Sequence, residues 1–145
     1  MKYFFDTNVI SKIVLFLINK KEPSENDIEI LREIKNILKD KDSQIYINRL
    51  VELEALRAIP KTHKKLFKET KNILNEFEKL VISKDIYYQA IEFSRFCKSK
   101  GVSLGKCEII DYLHFLTAKN YNLILVSDDK DMKLLEAKYQ EFKAL

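Results

Sequence analysis

The chain has 145 residues, with 46% apolar and 33% charged side chains, a balance that excludes disorder and allows one domain, residues 1–145, to bury a core. Two Gly and two Pro are too few for the turns of an all-β protein, so a helix-rich fold is expected. The net charge of +4 suits a polyanionic partner without demanding one.

Lys2–Asp6 reads as a strand that ends in an acid. A helix over Thr7–Lys20 follows, with Asp6 or Thr7 as its N-cap. After Pro23, Ser24 caps a second helix carrying Ile28, Ile30, Leu31, Ile34 and Leu38 at helical spacing. Gln44–Asn48 is a second strand, and Arg49–Ile59 a helix stopped by Pro60. Lys61–Lys79 reads as a long polar helix and Leu80–Ser83 as a short strand. Lys84–Lys100 is a helix closed by Gly101. A loop holding Gly105 leads into a helix over Cys107–Asn120. Asn122–Ser127 is a strand, Asp128–Asp131 an acidic loop, and Met132–Phe142 a helix. Strands separated by helices imply a parallel sheet with helices on both faces, an α/β class whose ligands bind beyond the carboxyl ends of the strands.

The longest apolar run, Ile13–Ile18, is far shorter than the roughly 18 residues that a membrane span needs. The N-terminus has neither a basic region nor a small-residue cleavage site, so no signal peptide is expected. Cys97 and Cys107 form no CxxC pair and read as reduced core thiols of a cytoplasmic protein. Two Cys and two His are too few for a usual zinc site.

Several carboxylates stand where packing does not want them. With Leu50 at 0° on its helix, Glu54 falls at about 40° and Ala58 at about 80°, which puts Glu54 inside an apolar stripe. Glu52, at about 200°, reaches solvent near Arg49. Asp111 lies on a helix that is apolar nearly all round, while Glu108 near its start is explained by the helix dipole. Asp6 and Asp129 follow strands, and Asp131 is close by. No cluster of Arg or Lys shares these stripes. Acids that share a pocket repel unless a cation holds them ionised, and carboxylate oxygens suit Mg²⁺ or Mn²⁺. Each acid also has a structural explanation. Asp6 and Asn8 can cap the first helix, Asp128 above all, or Asp129 or Asp131, the last, and Asp111 a helix that starts late; Glu54 can pair with a distant lysine.

Phe5-Asp6-Thr7-Asn8-Val9-Ile10 resembles the opening of the PIN-domain nucleases, including VapC-type toxin ribonucleases, whose first strand ends in Asp-Thr-Asn. Their second block is a strand, a polar residue and then an inward Glu six residues on; Asn48 and Glu54 match it, with Val51 where Thr is usual. Their third block is an Asp leading a small-residue helix, then a strand and a Thr/Ser-x-Asp loop. Asp111, Ser127 and Asp129 match that order and spacing, and Asp131-Met132 resembles the closing Asp-Phe. Leu116-Thr117-Ala118 replaces the usual small-residue run. The resemblance implies a three-layer α/β/α sandwich around a short parallel sheet and a Mg²⁺- or Mn²⁺-dependent endoribonuclease. Asp6, Glu54, Asp111 and Asp129, with Asp131, become its metal-binding acids. Ser127 becomes a hydroxyl that positions water or metal, and Asn8 a group supporting Asp6. RNA is the implied substrate and a small antitoxin protein an implied partner.

Lys61, Lys64, Lys65 and Lys68 fall within about 100° of one another on the predicted Lys61–Lys79 helix, a stripe that can track RNA phosphates or simply face solvent. Tyr87, Tyr88, Phe93 and Phe96 read as core rather than as base-stacking platforms. His63 lies in an exposed lysine-rich stretch and His114 on a packed helix, which leaves no evident histidine base. Apolar residues on the early helices suit a homodimer. Two other classes compete: a PIN-like scaffold that binds RNA without cutting it, and a phosphoryl-acceptor fold with Asp6 as nucleophile. The dehalogenase form of the latter wants an acid where Asn8 stands.

Overall fold

The structure is a computed structural model that describes residues 1–101 and 109–145. Its strands are β1 (Lys2–Phe5), β2 (Gln44–Asn48), β3 (Glu78–Leu80) and β4 (Ile124–Val126). Its α-helices are α1 (Thr7–Lys12), α2 (Glu25–Lys39), α3 (Arg49–Arg57), α4 (Lys64–Glu76), α5 (Lys84–Ser99), α6 (Ile109–Asn120) and α7 (Lys130–Lys143). The chain divides into two compact units, Met1–Leu80 with Ile124–Asp128, and Val81–Leu123 with Asp129–Leu145.

The first unit holds a sheet of order β3-β2-β1-β4 in which every pairing is parallel. The fold is therefore α/β, as the alternation of strands and helices requires. Central β1 is apolar where it is buried: Phe4 and Phe5 are inaccessible to solvent. An inner strand of a parallel sheet is covered on both faces, so a continuous apolar run suits it better than alternation.

The helix after β1 differs from the single predicted segment. After α1 the backbone widens into a π-helix over Ile13–Ile18, with the Asn19 N–H bonded to the Val14 carbonyl at 2.9 Å. Every residue of that run is apolar, so periodicity carries no mark of the change in winding. Lys20 then takes a left-handed backbone (φ 53°) just beyond its end. On α2 the buried residues are Ile30, Leu31, Ile34 and Ile37, whereas Ile28 and Leu38 are exposed, contrary to expectation. The stripe at i, i+1, i+4 and i+7 is the one that meets the core. Ser24 occupies the N-cap position without making the backbone cap bond; its hydroxyl donates to Asp27 Oδ2 at 2.9 Å.

The predicted Lys61–Lys79 helix is shorter at both ends. At its start the His63 N–H bonds the Pro60 carbonyl at 3.0 Å, closing a turn ahead of α4. At its end Phe77 is extended and packs edge-on against Phe5, ring centroids 5.9 Å apart. That contact draws Glu78–Leu80 into the sheet, earlier than the predicted Leu80–Ser83.

In the second unit, the Ser83 hydroxyl caps α5 by accepting the Ile86 N–H, and Gly101 (φ +65°) closes it with the left-handed backbone that glycine adopts readily. Seven consecutive residues of α6, Tyr112 to Ala118, are buried, as its all-round apolar character predicts. Its predicted first residues, Cys107 and Glu108, and the Gly105 loop lie outside the described residues. Asn122 (φ 55°) ends α6 in a paired-bond cap: the Asn122 N–H reaches the Lys119 carbonyl and the Leu123 N–H the Ala118 carbonyl. That cap takes Asn122 out of the predicted strand, so β4 begins at Ile124. Phe93, Phe115, Tyr139 and Phe142 meet in stacked, tilted and edge-on pairs with centroids 5.2–5.8 Å apart in the core of this unit. Cys97 is buried and burial pushes its thiol pKa up, in keeping with an inert reduced thiol.

Ile34 is fully buried whereas Ile28 on the same helix is not. Ile34→Ala should lower stability by about 2–5 kcal/mol. Ile28→Ala should stay within about 0.5 kcal/mol of the parent. Urea unfolding midpoints of the two variants check this.

Candidate functional site

The sheet register decides what meets at its carboxyl edge. Phe4 lies opposite Tyr46, and Phe5 opposite Val126. Continued past the strand ends, that register sets Asp6 beside Asn48 on one side and Ser127 on the other, with neighbouring parallel strands about 4.8 Å apart. Asp6 and Asn48 are buried, at 2% and 0% exposure. Each is also the N-cap of the helix that follows. Asp6 Oδ1 accepts the Val9 N–H at 3.0 Å, and Asn48 Oδ1 accepts the Val51 N–H at 2.9 Å. The capping role open to Asp6 is therefore real. It occupies one of the roughly four acceptor sites of a carboxylate, so it does not exhaust the group. The N-termini of α1 and α3 favour negative charge at this edge.

Glu54 is half-buried on α3 and accepts a hydrogen bond from Thr7 Oγ1 at 2.7 Å, which ties α3 to the first turn of α1. The apolar stripe of α3 is not the predicted Leu50–Ala58 face: Val51 and Ala55 are buried, whereas Ala58 is exposed. Glu54, three residues beyond Val51, borders that stripe. Glu52 is held by Arg49 at 3.0 Å and by Lys79 at 3.6 Å. Thr7, which the sequence offers as a possible cap and as the middle of the Asp-Thr-Asn resemblance, donates instead to Glu54; its signal is a hydroxyl directly after a strand-end acid.

Lys12 was also missed. Its Nζ meets Asp27 Oδ1 at 2.6 Å and Asp128 Oδ2 at 3.0 Å, joining α1, the start of α2 and the segment after β4. Asp128 is therefore paired with a lysine rather than capping the last helix. A cavity of about 350 Å³ lies here, lined by the exposed Asn8 together with Lys12, Asp27 and Asp128. Burial works against the Lys12 charge, but hydrogen bonds to Asp27 and Asp128 outweigh it and raise its pKa above the ordinary value. The bond from Lys12 lowers the Asp27 pKa in turn, helped by Ser24.

In the second unit, Asp129 caps α7 by accepting the Asp131 N–H at 2.9 Å, which starts the helix two residues before the predicted Met132. Asp111 is half-buried in the first described turn of α6. Burial, then the negative charges of Asp129 and Asp111, push the Asp131 carboxyl pKa up. These three acids thus sense one another as like charges. Among the described residues, no three His, Cys, Asp or Glu side chains form a ready-made metal site. The donors on hand at the two sets of acids are oxygens alone, a chemistry that fits a hard divalent ion.

Of the predicted lysines, Lys64, Lys65 and Lys68 are exposed on α4, whereas Lys61 precedes that helix and does not share its face. The Pro60–His63 turn is the reason. Tyr87 and Tyr88 are exposed, not core, because the buried face of α5 runs through Ile86, Ala90, Phe93 and Cys97. Phe93 is buried, and Phe96 is half-buried against Phe142 at 5.4 Å. His63 is exposed and His114 only 1% so.

The PIN domain family matches residues 3–138. The chain belongs to the PIN-domain family. A comparison with curated proteins finds no match. PIN domains are generally nucleases that use divalent metals, so membership supports a nuclease-type function and implies nucleic acid as the substrate class. Its α/β fold with a four-stranded parallel sheet is the PIN-like one. Among the described residues, no helix is long and apolar enough to cross a membrane.

The Lys12 contacts set a pH window for stability. A raised lysine pKa stabilises the fold in full below its ordinary value of 10.5, and the contribution is lost as pH rises through the folded-state value. The lowered Asp27 pKa stabilises above its ordinary 3.8, and that contribution is lost as pH falls. The stability difference between the parent and Lys12→Met should therefore be flat near neutrality and shrink at both extremes. Urea midpoints measured across pH test this, and a difference that never changes would show that the bridge contributes nothing.

Proposed function

We propose that this PIN domain is a metal-dependent endoribonuclease. In this reading Asp6, Glu54, Asp111 and Asp129, with Asp131, are the carboxylates that would hold Mg²⁺ or Mn²⁺. A bound ion of this kind supplies Lewis-acid activation of water and neutralises charge developing at a phosphodiester. The chain's own groups orient the reaction. Thr7 holds the Glu54 carboxylate in place, Ser127 offers a hydroxyl to the attacking water, and Asn8 supports Asp6. Attack in line on phosphorus leaves a 5′-phosphate and a 3′-hydroxyl. Lys64, Lys65 and Lys68, with Lys61 from the preceding turn, receive the RNA backbone.

The observation that carries this reading is the row Asn48–Asp6–Ser127 at the carboxyl ends of adjacent parallel strands, with Glu54 tied to Thr7 beside it. Parallel α/β sheets place their ligands at that edge. A histidine-based mechanism is disfavoured, because His114 is buried and His63 lies in an exposed turn. We extend the reading to a cytoplasmic toxin whose nuclease domain spans residues 1–145, silenced by a small antitoxin protein. The exposed Leu15, Ile28 and Leu38 support a homodimer.

Asp6→Asn is a discriminating variant, since Asn caps a helix as well as Asp does and the fold is retained. Cleavage of single-stranded RNA should fall on the order of 100-fold or more in Asp6→Asn and in Glu54→Gln. EDTA should abolish cleavage by the parent, and excess Mn²⁺ should restore it. Equal cleavage in every lane would end the proposal.

A further inference from the structure

The first unit holds a second feature outside the acidic edge, a cavity of about 470 Å³ where α3 turns into α4. Its floor is apolar, made by Leu56, Ile59, Pro60 and Phe67. Its rim is cationic, made by Arg57, Lys61 and Lys64, and among the described residues no acidic side chain lines it. Phe67 is 40% exposed, on a helix whose buried face runs through Thr70 and Leu74. The Pro60–His63 turn builds the arrangement, because it brings Lys64 and Phe67, neighbours at i and i+3 on α4, against the last turn of α3.

Next to it lies a cavity of about 660 Å³ lined by Lys20, His63, Lys65 and Glu69, which shares Lys64 with the first. Glu69, the acid in that lining, stands 3.9 Å from Lys65. The cations thus continue from Arg57 through Lys61, Lys64 and Lys65 to Lys20.

An apolar floor under a cationic rim selects a ligand with a flat uncharged face flanked by negative charge. A second copy of this chain is a poor occupant, since it would bring the same cations on a chain of net charge +4. A nucleotide has the required chemistry, and only unpaired bases are open to stacking on a side chain. Resting on the ribonuclease reading, we propose that this cavity is a base-binding subsite for single-stranded RNA. One base stacks on Phe67, and the phosphates beside it lie against Arg57, Lys61 and Lys64. Arg57 follows Glu54 by three residues on α3, about 4.5 Å along the helix axis. RNA seated here lies one helical turn from a candidate catalytic carboxylate.

The chain contains no tryptophan, so Phe67→Trp introduces a single reporter on the floor of the cavity. In EDTA, where binding is read without cleavage, a single-stranded oligoribonucleotide should quench its fluorescence, and an abasic oligomer of equal length should not. Phe67→Ala should weaken binding of the base-bearing oligomer by roughly 5- to 150-fold, with little change for the abasic one. Lys61→Glu with Lys64→Glu should weaken both. Circular dichroism shows that each variant is folded. An unquenched Phe67→Trp variant with unaltered Phe67→Ala affinity overturns the subsite, as does Phe67→Ala dissociating a dimer in light scattering. Cleavage by the parent is assayed separately with Mn²⁺. Its persistence alongside a failed quench removes the subsite and leaves the ribonuclease reading standing, whereas its absence removes that reading.

Discussion

The parallel register of β1 is the constraint on which the first unit depends. Phe4 and Phe5 are both inaccessible, so this strand cannot slide by one residue without moving a phenylalanine out of its packing and Asp6 into it. Once β1 is fixed between β2 and β4, the residues at the carboxyl ends of the three strands must emerge side by side. Asn48, Asp6 and Ser127 therefore stand in a row. Asp6 and Asn48 then lead straight into α1 and α3 as N-caps, which couples the geometry of the edge to the start of two helices.

Carboxylates so near a packed core need compensation, and each receives it differently. Asp6 accepts a backbone N–H and Glu54 a threonine hydroxyl. Asp27 and Asp128 share the Lys12 ammonium instead. Asp131 is raised by burial and by its acidic neighbours Asp129 and Asp111.

Basic groups follow a different logic. They gather where α3 ends and α4 begins, because Pro60 stops one helix and the turn after it starts the next. The result is a cationic rim over apolar floor residues, on the same helix as Glu54. In the ribonuclease reading, α3 carries both a reactive carboxylate and the beginning of the RNA surface.

Much of this was legible in the chain itself. Alternating strands and helices dictated a parallel α/β sheet, and the all-round apolar pattern of residues 109–118 dictated a buried helix. The strand-end acids were visible because a carboxylate beside an apolar run is costly enough to need a reason. What could not be read were choices made by distant partners. Glu78–Leu80 entered the sheet where Phe77 met Phe5, and the apolar face of α3 was set by what packed on Val51 and Ala55 rather than by the helical wheel. Thr7 and Glu54 are 47 residues apart, and Lys12 and Asp27 15 apart, so neither pairing has any local signature. Periodicity and capping are short-range properties of neighbouring residues, and the order of residues is enough to set them. Which apolar stripe is covered, and which charge finds a partner, depends on side chains that meet only after the sheet has formed, so those outcomes belong to the folded molecule.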